Sequence, residues 1–322
     1  FPVTLDPLYS LNPRHTGTGQ ADARDRFNRR LSGVVSAPVL EDLDRDGRLE
    51  IICSALDGHV YVWTADGEPA PGWPVLVADP ARFGVVDDRT RRIAPLSGCA
   101  ECVYDAGEIV STPAVGDIDG DGFSEIVVGT NEQYEEHMNV ALTGGIVGVL
   151  GKLDLGGGNG RIHALRHGGY NHSDGPFLEG WPVRLGLVAP DLLPTVGSGT
   201  PNSAALADTD GDGALEVAAL STVGPVYLLR GDGTSAYGAD PQGDANVMDT
   251  GPPWDPVRDV PTLPALGSPV FADLYGQGDV SCVAPSAGLK KLVDVQLPAE
   301  QVGAENHLAA WDVRSGRMLP GF

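Results

Sequence analysis

At 322 residues, 42% hydrophobic and 20% charged, the chain can bury a sizeable core as one large domain or two ordinary ones. Its net charge of −23 argues against nucleic acid and anionic membrane surfaces, which reward lysine and arginine, and no apolar run nears the ~18 residues of a membrane span. Forty-four glycines and 26 prolines imply many turns between short elements.

The chain opens at Phe1 in place of a methionine, which reads as a processed chain or a segment of a longer polypeptide flanked by further domains. From Ser36 it repeats itself. "SAPVLEDLDRDGRLEIICSA" (from Ser36), "STPAVGDIDGDGFSEIVVGT" (from Ser111), "NSAALADTDGDGALEVAALS" (from Asn202) and "GSPVFADLYGQGDVSCVAPS" (from Gly267) are four versions of one segment. Their first aspartates, Asp42, Asp117, Asp208 and Asp273, stand 75, 91 and 65 residues apart. A second match follows each, at Gly58, Gly160, Gly224 and Asn306, and a closing "PGWPV" or "EGWPV" ends at Val75 and Val183.

Each unit predicts four short strands: a small-residue run such as Ser111 to Val115, a run after the acidic loop such as Glu125 to Val128, an alternating run such as Val60 to Trp63, and a fourth carrying Trp73 or Trp181. No sustained 3.6-residue period appears. One four-stranded antiparallel sheet per repeat predicts an all-β chain, a β-propeller with at least four blades, and the closing element shared by both chain ends favours a larger parent of six to eight blades. The predicted blades are 32–77, 108–185, 200–233 and 266–322, with insertions at 78–107, 131–159, 234–264 and 285–305. Long loops on a rigid scaffold are where binding tends to reside.

The acidic loops suggest a cation. Counting the first aspartate as position one, position three is Asp44, Asp119 or Asp210, and position five is Asp46, Asp121 or Asp212. Position six is glycine, and position nine is Glu50, Glu125 or Glu216. Alternate oxygens on a tight loop converge, and calcium, with six to eight oxygen ligands in flexible geometry, suits four carboxylates better than magnesium. The carbonyls of position seven, Arg48, Phe123 and Ala214, are further candidate ligands. An EF-hand needs glutamate at position twelve and a helix after it; here that position is Cys53, Val128 or Ala219 and strand follows. The rival is a solvated acidic turn, which three copies in register disfavour. The fourth loop keeps Asp273 and Gly278 but has Tyr275, Gln277 and Ser281 at positions three, five and nine, so three calcium sites are expected and none, or a weak one, at Asp273.

On these loops the units resemble FG-GAP repeats, also called VCBS or integrin-α-type repeats, the calcium-binding blades of integrin-like propellers and of many secreted bacterial proteins. The resemblance implies calcium ligation by Asp42, Asp44, Asp46 and Glu50, by Asp117, Asp119, Asp121 and Glu125, and by Asp208, Asp210, Asp212 and Glu216. Glutamate at position nine departs from the aspartate of many members. It also implies an adhesion, recognition or scaffold role, with some members attached to hydrolases or lyases.

Cys99 and Cys102 form a CxxC without the histidine of a haem site or a second pair for zinc, which leaves a small loop disulfide as the preferred reading. Catalytic signals are weak. The "RGD" at Arg230–Asp232 falls on a hairpin turn equivalent to Asp66–Gly67. His163 occupies the slot of Tyr61 and Tyr227, and His167, His172 and Asp174 read as a polar hairpin loop. Trp73 and Trp181 share one slot and Trp63 and Trp311 another, which favours packing between blades over a sugar platform.

The expected protein is a secreted, cell-surface or periplasmic calcium-stabilised propeller. It would bind a protein or glycan through its insertions without catalysis. The alternative is a propeller-type polysaccharide lyase, or part of a larger hydrolase, whose cationic clamp would come from Arg24, Arg26, Arg29 and Arg30 or from Arg89, Arg91 and Arg92.

Overall fold

The computed structural model describes residues 33–87, 92–99, 104–105, 107–134, 159–187, 200–220, 226–237, 267–286 and 307–320. Val39–Glu41 (β1), Glu50–Ser54 (β2), His59–Trp63 (β3) and Val75–Leu76 (β4) form the first sheet. Phe83–Asp87 (β5) and Arg92–Pro95 (β6) form a hairpin, and Tyr104–Asp105 (β7) awaits a partner further along. Ala114–Gly116 (β8) and Glu125–Thr130 (β9) open the second sheet, and Gln133–Tyr134 (β10) pairs back to β7. Asn159–Leu165 (β11) and Val183–Leu187 (β12) complete the second sheet.

The third sheet is Ala205–Ala207 (β13), Glu216–Leu220 (β14) and Val226–Leu229 (β15). Val270–Ala272 (β16), Ser281–Ser286 (β17), His307–Asp312 (β18) and Arg317–Met318 (β19) form the fourth. Every pairing is antiparallel, and among the described residues the only helical segment is a 3-10 turn at Gly169–Asn171. The chain is all-β.

The four repeats keep one register. Val39 faces Ile52, Ala114 faces Val127, Ala205 faces Ala218, and Val270 faces Val283. The next pairing repeats it, with Ile52 to Val62, Val127 to Ala164, Ala218 to Leu228, and Val283 to Ala310. The fourth strand differs from expectation, since β4 and β12 each begin two residues after the tryptophan, beyond cis Trp73–Pro74 and Trp181–Pro182 bonds. β19 faces Trp311 with Met318, as isolated bridges face Trp63 with Pro69 and Leu165 with Phe177. It is thus the counterpart of those bridges rather than of β4.

Side chains alternate across a strand, so each sheet has two faces, and here both are apolar. One core lies between the first and second sheets, where Ile52, Val60 and Val62 meet Ile126, Val128 and Leu165. The next puts Val127, Ile162 and Ala164 against Val217, Ala219 and Leu229. The third puts Ala218, Val226 and Leu228 against Cys282, Ala284 and Trp311. The sheets therefore stand in a row, each packed on the next.

Polar contacts hold the same row. Along the first strands, the Ala37 N–H donates to Thr112 Oγ1 (3.1 Å), the Thr112 N–H to Ser203 Oγ (2.9 Å), and the Ser203 N–H to Ser268 Oγ (3.1 Å). At the other end of the strands, Trp73 Nε1 donates to the His167 carbonyl (3.3 Å) and Trp181 Nε1 to the Gly231 carbonyl (2.8 Å). His167 and Gly231 are equivalent positions, so the shared tryptophan slot serves packing between neighbouring sheets. Gly231 is fixed sterically as well, because a Cβ there would lie 1.9 Å from the Ile118 carbonyl oxygen.

Trp181→Phe removes one indole donor and leaves the Gly231 carbonyl unpaired. The expected cost is about 1–3 kcal/mol, read as a lower thermal midpoint in calcium; an unchanged midpoint would reject the tryptophan's role at the junction.

Candidate metal centres

Each acidic loop joins the first two strands of its sheet, as the sequence predicts. The position-one aspartate shapes it. Asp42, Asp117, Asp208 and Asp273 each accept the position-six glycine N–H on Oδ2, at 3.0, 2.9, 3.1 and 2.7 Å. Those glycines sit at φ of 84° to 98°, the left-handed region that favours glycine. Position four is left-handed too, as Gly120, Gly211, Gly276 and, alone among them with a side chain, Arg45 at φ 60°.

Positions three and five form successive Asx turns. Asp44 accepts from Asp46 and Asp46 from Arg48; Asp119 from Asp121 and Asp121 from Phe123; Asp210 from Asp212 and Asp212 from Ala214. Asx turns by themselves explain an acidic turn in water.

They do not explain position nine. Glu50, Glu125 and Glu216 are buried at the start of the second strand, and each accepts the N–H two residues before position four, from Leu43 (2.9 Å), Ile118 (3.1 Å) or Thr209 (2.7 Å). That bond turns the carboxylate back into the loop. One oxygen each from Asp42, Asp44 and Glu50 then lie within 4.8 Å of one another, as do those of Asp117, Asp119 and Glu125 and of Asp208, Asp210 and Glu216. The position-five aspartates, Asp46, Asp121 and Asp212, stay outside these groups.

Burial pushes the Glu125 carboxyl up to about 8, and the charges of Asp119, Asp121 and Asp117 add to the rise against the Ile118 amide. Glu50 is raised for the same reasons, burial first. Asp42 Oδ1 is buried with no hydrogen-bond partner. An all-oxygen donor set with one orphaned carboxylate oxygen fits a hard cation.

The loops also touch along the row. Arg45 stacks over the Phe123 ring (4.9 Å), Phe123 stacks on His167 (4.3 Å), and Ser124 Oγ donates to Glu41 (2.8 Å). The fourth loop keeps only the scaffold. Asp273 is exposed and held below its ordinary value by the amides of Gly278 and Gln277, with Tyr275, Gln277 and Ser281 in place of the other acids.

This loop geometry is clearest from Asp117 to Glu125. Residues 110–137 match the FG-GAP repeat family. The loop at Asp208 shares the FG-GAP segment's register and hydrogen bonds, and the loop at Asp42 shares them except the Oδ1 bond that the position-four N–H of Gly120 and Gly211 donates. Among solved structures, the chain is similar to the V. cholerae biofilm matrix protein Bap1, at 15% identity and a TM-score of 0.39 over 88% of this chain and 27% of that one. It is similar to BBS1N in complex with ARL6DN, at 13% identity and 0.28 over 80% and 66%. It is similar also to the rhamnogalacturonan lyase YesW, at 16% and 0.27 over 81% and 49%. The chain thus spans about a quarter of Bap1 and half of the lyase. No curated protein matches it by sequence.

The other candidates fall as follows. His167 and His172 meet edge to face (6.2 Å) around the 3-10 turn, and the Asp174 N–H donates to His172 Nδ1. Arg230 donates to the Ser235 and Ala236 carbonyls, and Asp232 accepts from Thr234, so the "RGD" charges serve its hairpin turn. Cys99 is disulfide-bonded, Cys53 and Cys282 are free and buried, and Cys102 lies outside the described residues. Arg24, Arg26, Arg29, Arg30, Arg89 and Arg91 lie outside them too. No described helix is long and apolar enough to cross a membrane.

Sequence reasoning missed one polar cluster. His163 is more than a packing residue, because its Nε2 lies 2.7 Å from Glu132 Oε2, and both are buried. Glu132 also accepts from Thr130 Oγ1, Tyr134 OH and the Asp79 N–H, while buried Arg161 donates to Asp79 (2.8 Å) beneath the Tyr134 ring. Burial would raise the Glu132 carboxyl, but the charges of His163 and Arg161 and its hydrogen bonds hold it below the ordinary range. The cluster ties the segment after β4 to the end of β9. No spacing motif announces it, and only the acid directly after an apolar strand, Glu132, hints at it.

Two outcomes are expected. A carboxyl whose folded-state pKa exceeds its ordinary value of 4.5 stabilises the fold below that value and loses the contribution as pH rises through about 8. Chelator-treated protein should therefore lose thermal stability between about pH 5 and pH 8, and Glu125→Gln should flatten that loss; identical slopes would reject the assignment. Glu132→Ala removes the carboxylate shared by His163 and the Asp79 N–H and should cost about 3–5 kcal/mol, read from denaturant midpoints.

Proposed function

We propose that the chain is a calcium-stabilised β-propeller, or part of one, that acts outside the cell as a non-catalytic interaction module. The observation that carries this is the threefold recurrence of a buried glutamate turned into a loop beside two aspartates, with their oxygens within 4.8 Å. Three four-stranded sheets and one three-stranded sheet that keep one register and pack in sequence order support the propeller.

Calcium would be held by Asp42, Asp44 and Glu50, by Asp117, Asp119 and Glu125, and by Asp208, Asp210 and Glu216. Asp46, Asp121 and Asp212 and the carbonyls of Arg48, Phe123 and Ala214 would complete the shells. The ion supplies the positive charge that lets a buried glutamate ionise beside two aspartates. The role is structural, holding the loop between the first two strands of each sheet. A ligand of protein or glycan type would be taken by the insertions at 78–107, 131–159, 234–264 and 285–305, and the Cys99–Cys102 disulfide would suit an oxidising compartment.

Calorimetric titration is expected to find three calcium ions per chain, with Asp44→Asn, Asp119→Asn and Asp210→Asn each removing one and Asp273→Asn none. Calcium at a hundredfold over its dissociation constant would stabilise by about 2.7 kcal/mol per site. A melting curve unmoved by EDTA would reject calcium binding. A glycan array beside an activity screen on acidic polysaccharides tests the interaction role, and turnover in the screen would overturn it.

A further inference from the structure

The acidic loops touch one another at a fixed place in the repeat. Position eight, Ser124 in the second loop and Leu215 in the third, lies between the position-seven residue, whose carbonyl is a candidate ligand, and the position-nine glutamate. In both loops it also holds the base of the loop before it. Ser124 Oγ donates to Glu41 Oε1 (2.8 Å), directly ahead of Asp42. The Leu215 N–H donates to the Asp117 carbonyl (3.0 Å), and its side chain fills the space over Gly116, where a Cβ would lie 2.6 Å from Leu215 Cδ1. Glu41 and Gly116 are equivalent, so one junction uses a polar contact where the next uses packing.

A second contact joins the first two loops. Arg45, between Asp44 and Asp46, lays its guanidinium over the Phe123 ring (4.9 Å) and against Gly122, where a Cβ would meet it at 3.2 Å. Arg45 holds φ 60° where the second and third loops carry Gly120 and Gly211. The left-handed backbone disfavours a residue with a side chain, and the ring that this side chain covers belongs to the neighbouring loop.

Peptide units are planar and nearly rigid, so positions seven and nine cannot both settle on an ion without fixing position eight between them. Filling the third site therefore fixes Leu215 and, through it, the backbone of Asp117, the first ligand of the second site. Filling the second fixes Ser124 and Phe123, and through them Glu41 beside Asp42 and Arg45 between Asp44 and Asp46. Each ion thus orders part of the next loop, and an ion entering a loop already ordered forfeits less conformational freedom.

We propose that the three calcium sites bind cooperatively, coupled in series through Leu215, Ser124 and Arg45, with the second site as the link. The proposal rests on the calcium reading above and states how those sites are regulated. The fourth loop lacks the acids at positions three, five and nine, so the series ends at the third. The like charge of the bound ions works against coupling. The test is therefore made at about 0.15 M salt, where exposed charges more than about 8 Å apart are largely screened.

Calorimetric calcium titration of the intact chain decides it. Asp44→Asn or Asp210→Asn removes an end site, and each should weaken binding at the remaining sites by about fivefold or more, the low end of usual coupling between sites. Arg45→Gly with Ser124→Ala cuts the first link outside the ligand set, and glycine is what the second and third loops carry at position four. The cut protein should still take up three ions, and adding Asp44→Asn to it should leave the other two affinities unchanged. Weakening that persists in the cut protein would overturn the assignment to these contacts. Three ions bound with affinities indifferent to Asp44→Asn and Asp210→Asn would overturn the coupling and leave the calcium reading standing. No calcium bound at all would overturn both.

Discussion

The constraint on which the structure depends is that each sheet is apolar on both sides. A strand such as Glu50–Ser54 or Glu125–Thr130 sends alternate residues to opposite faces, and neither face tolerates water. The three largest cores described lie between sheets, and each is built from one repeat and the next. Most of the polar contacts between sheets thereby fall at the strand ends. The acidic loops, the tryptophan turns and the Thr112–Ser203–Ser268 hydroxyls all sit where the apolar faces stop.

The loops separate two demands that a single copy confuses. The position-one aspartate caps the glycine amide in all four loops, so its persistence in the fourth follows from backbone shape. The aspartates at position three and the glutamate at position nine disappear together there. Their joint loss is what shared service to one cation predicts. The position-five aspartates sit further from the cluster and are held by the Arg48, Phe123 and Ala214 amides, which makes them scaffold as much as ligand.

Strand order, register and the acidic loops were legible in the sequence because repetition marks them four times over. The tryptophan slots were legible for the same reason. Most of what escaped had no repeated counterpart. Among the described residues the Glu132–His163–Arg161–Asp79 cluster has no counterpart in another junction, and its partners lie far apart in sequence. The β5–β6 hairpin lies inside a stretch that composition marks simply as an insertion. The late start of β4 and β12 escaped because tryptophan reads as a strand former, while here its indole is used across the junction and the strand begins after the proline.

The contacts between sheets share a property that bears on how such a chain can change. Hydroxyls at 112, 203 and 268 and indoles at 73 and 181 all address the backbone of the neighbouring repeat, a peptide N–H or a peptide carbonyl. A backbone partner is present whatever residue occupies the position. Adjacent repeats can therefore diverge, lengthen their loops or be copied without matching substitutions on the other side. The 75, 91 and 65 residues between successive rungs show how far the intervening chain has drifted while the junction kept its terms.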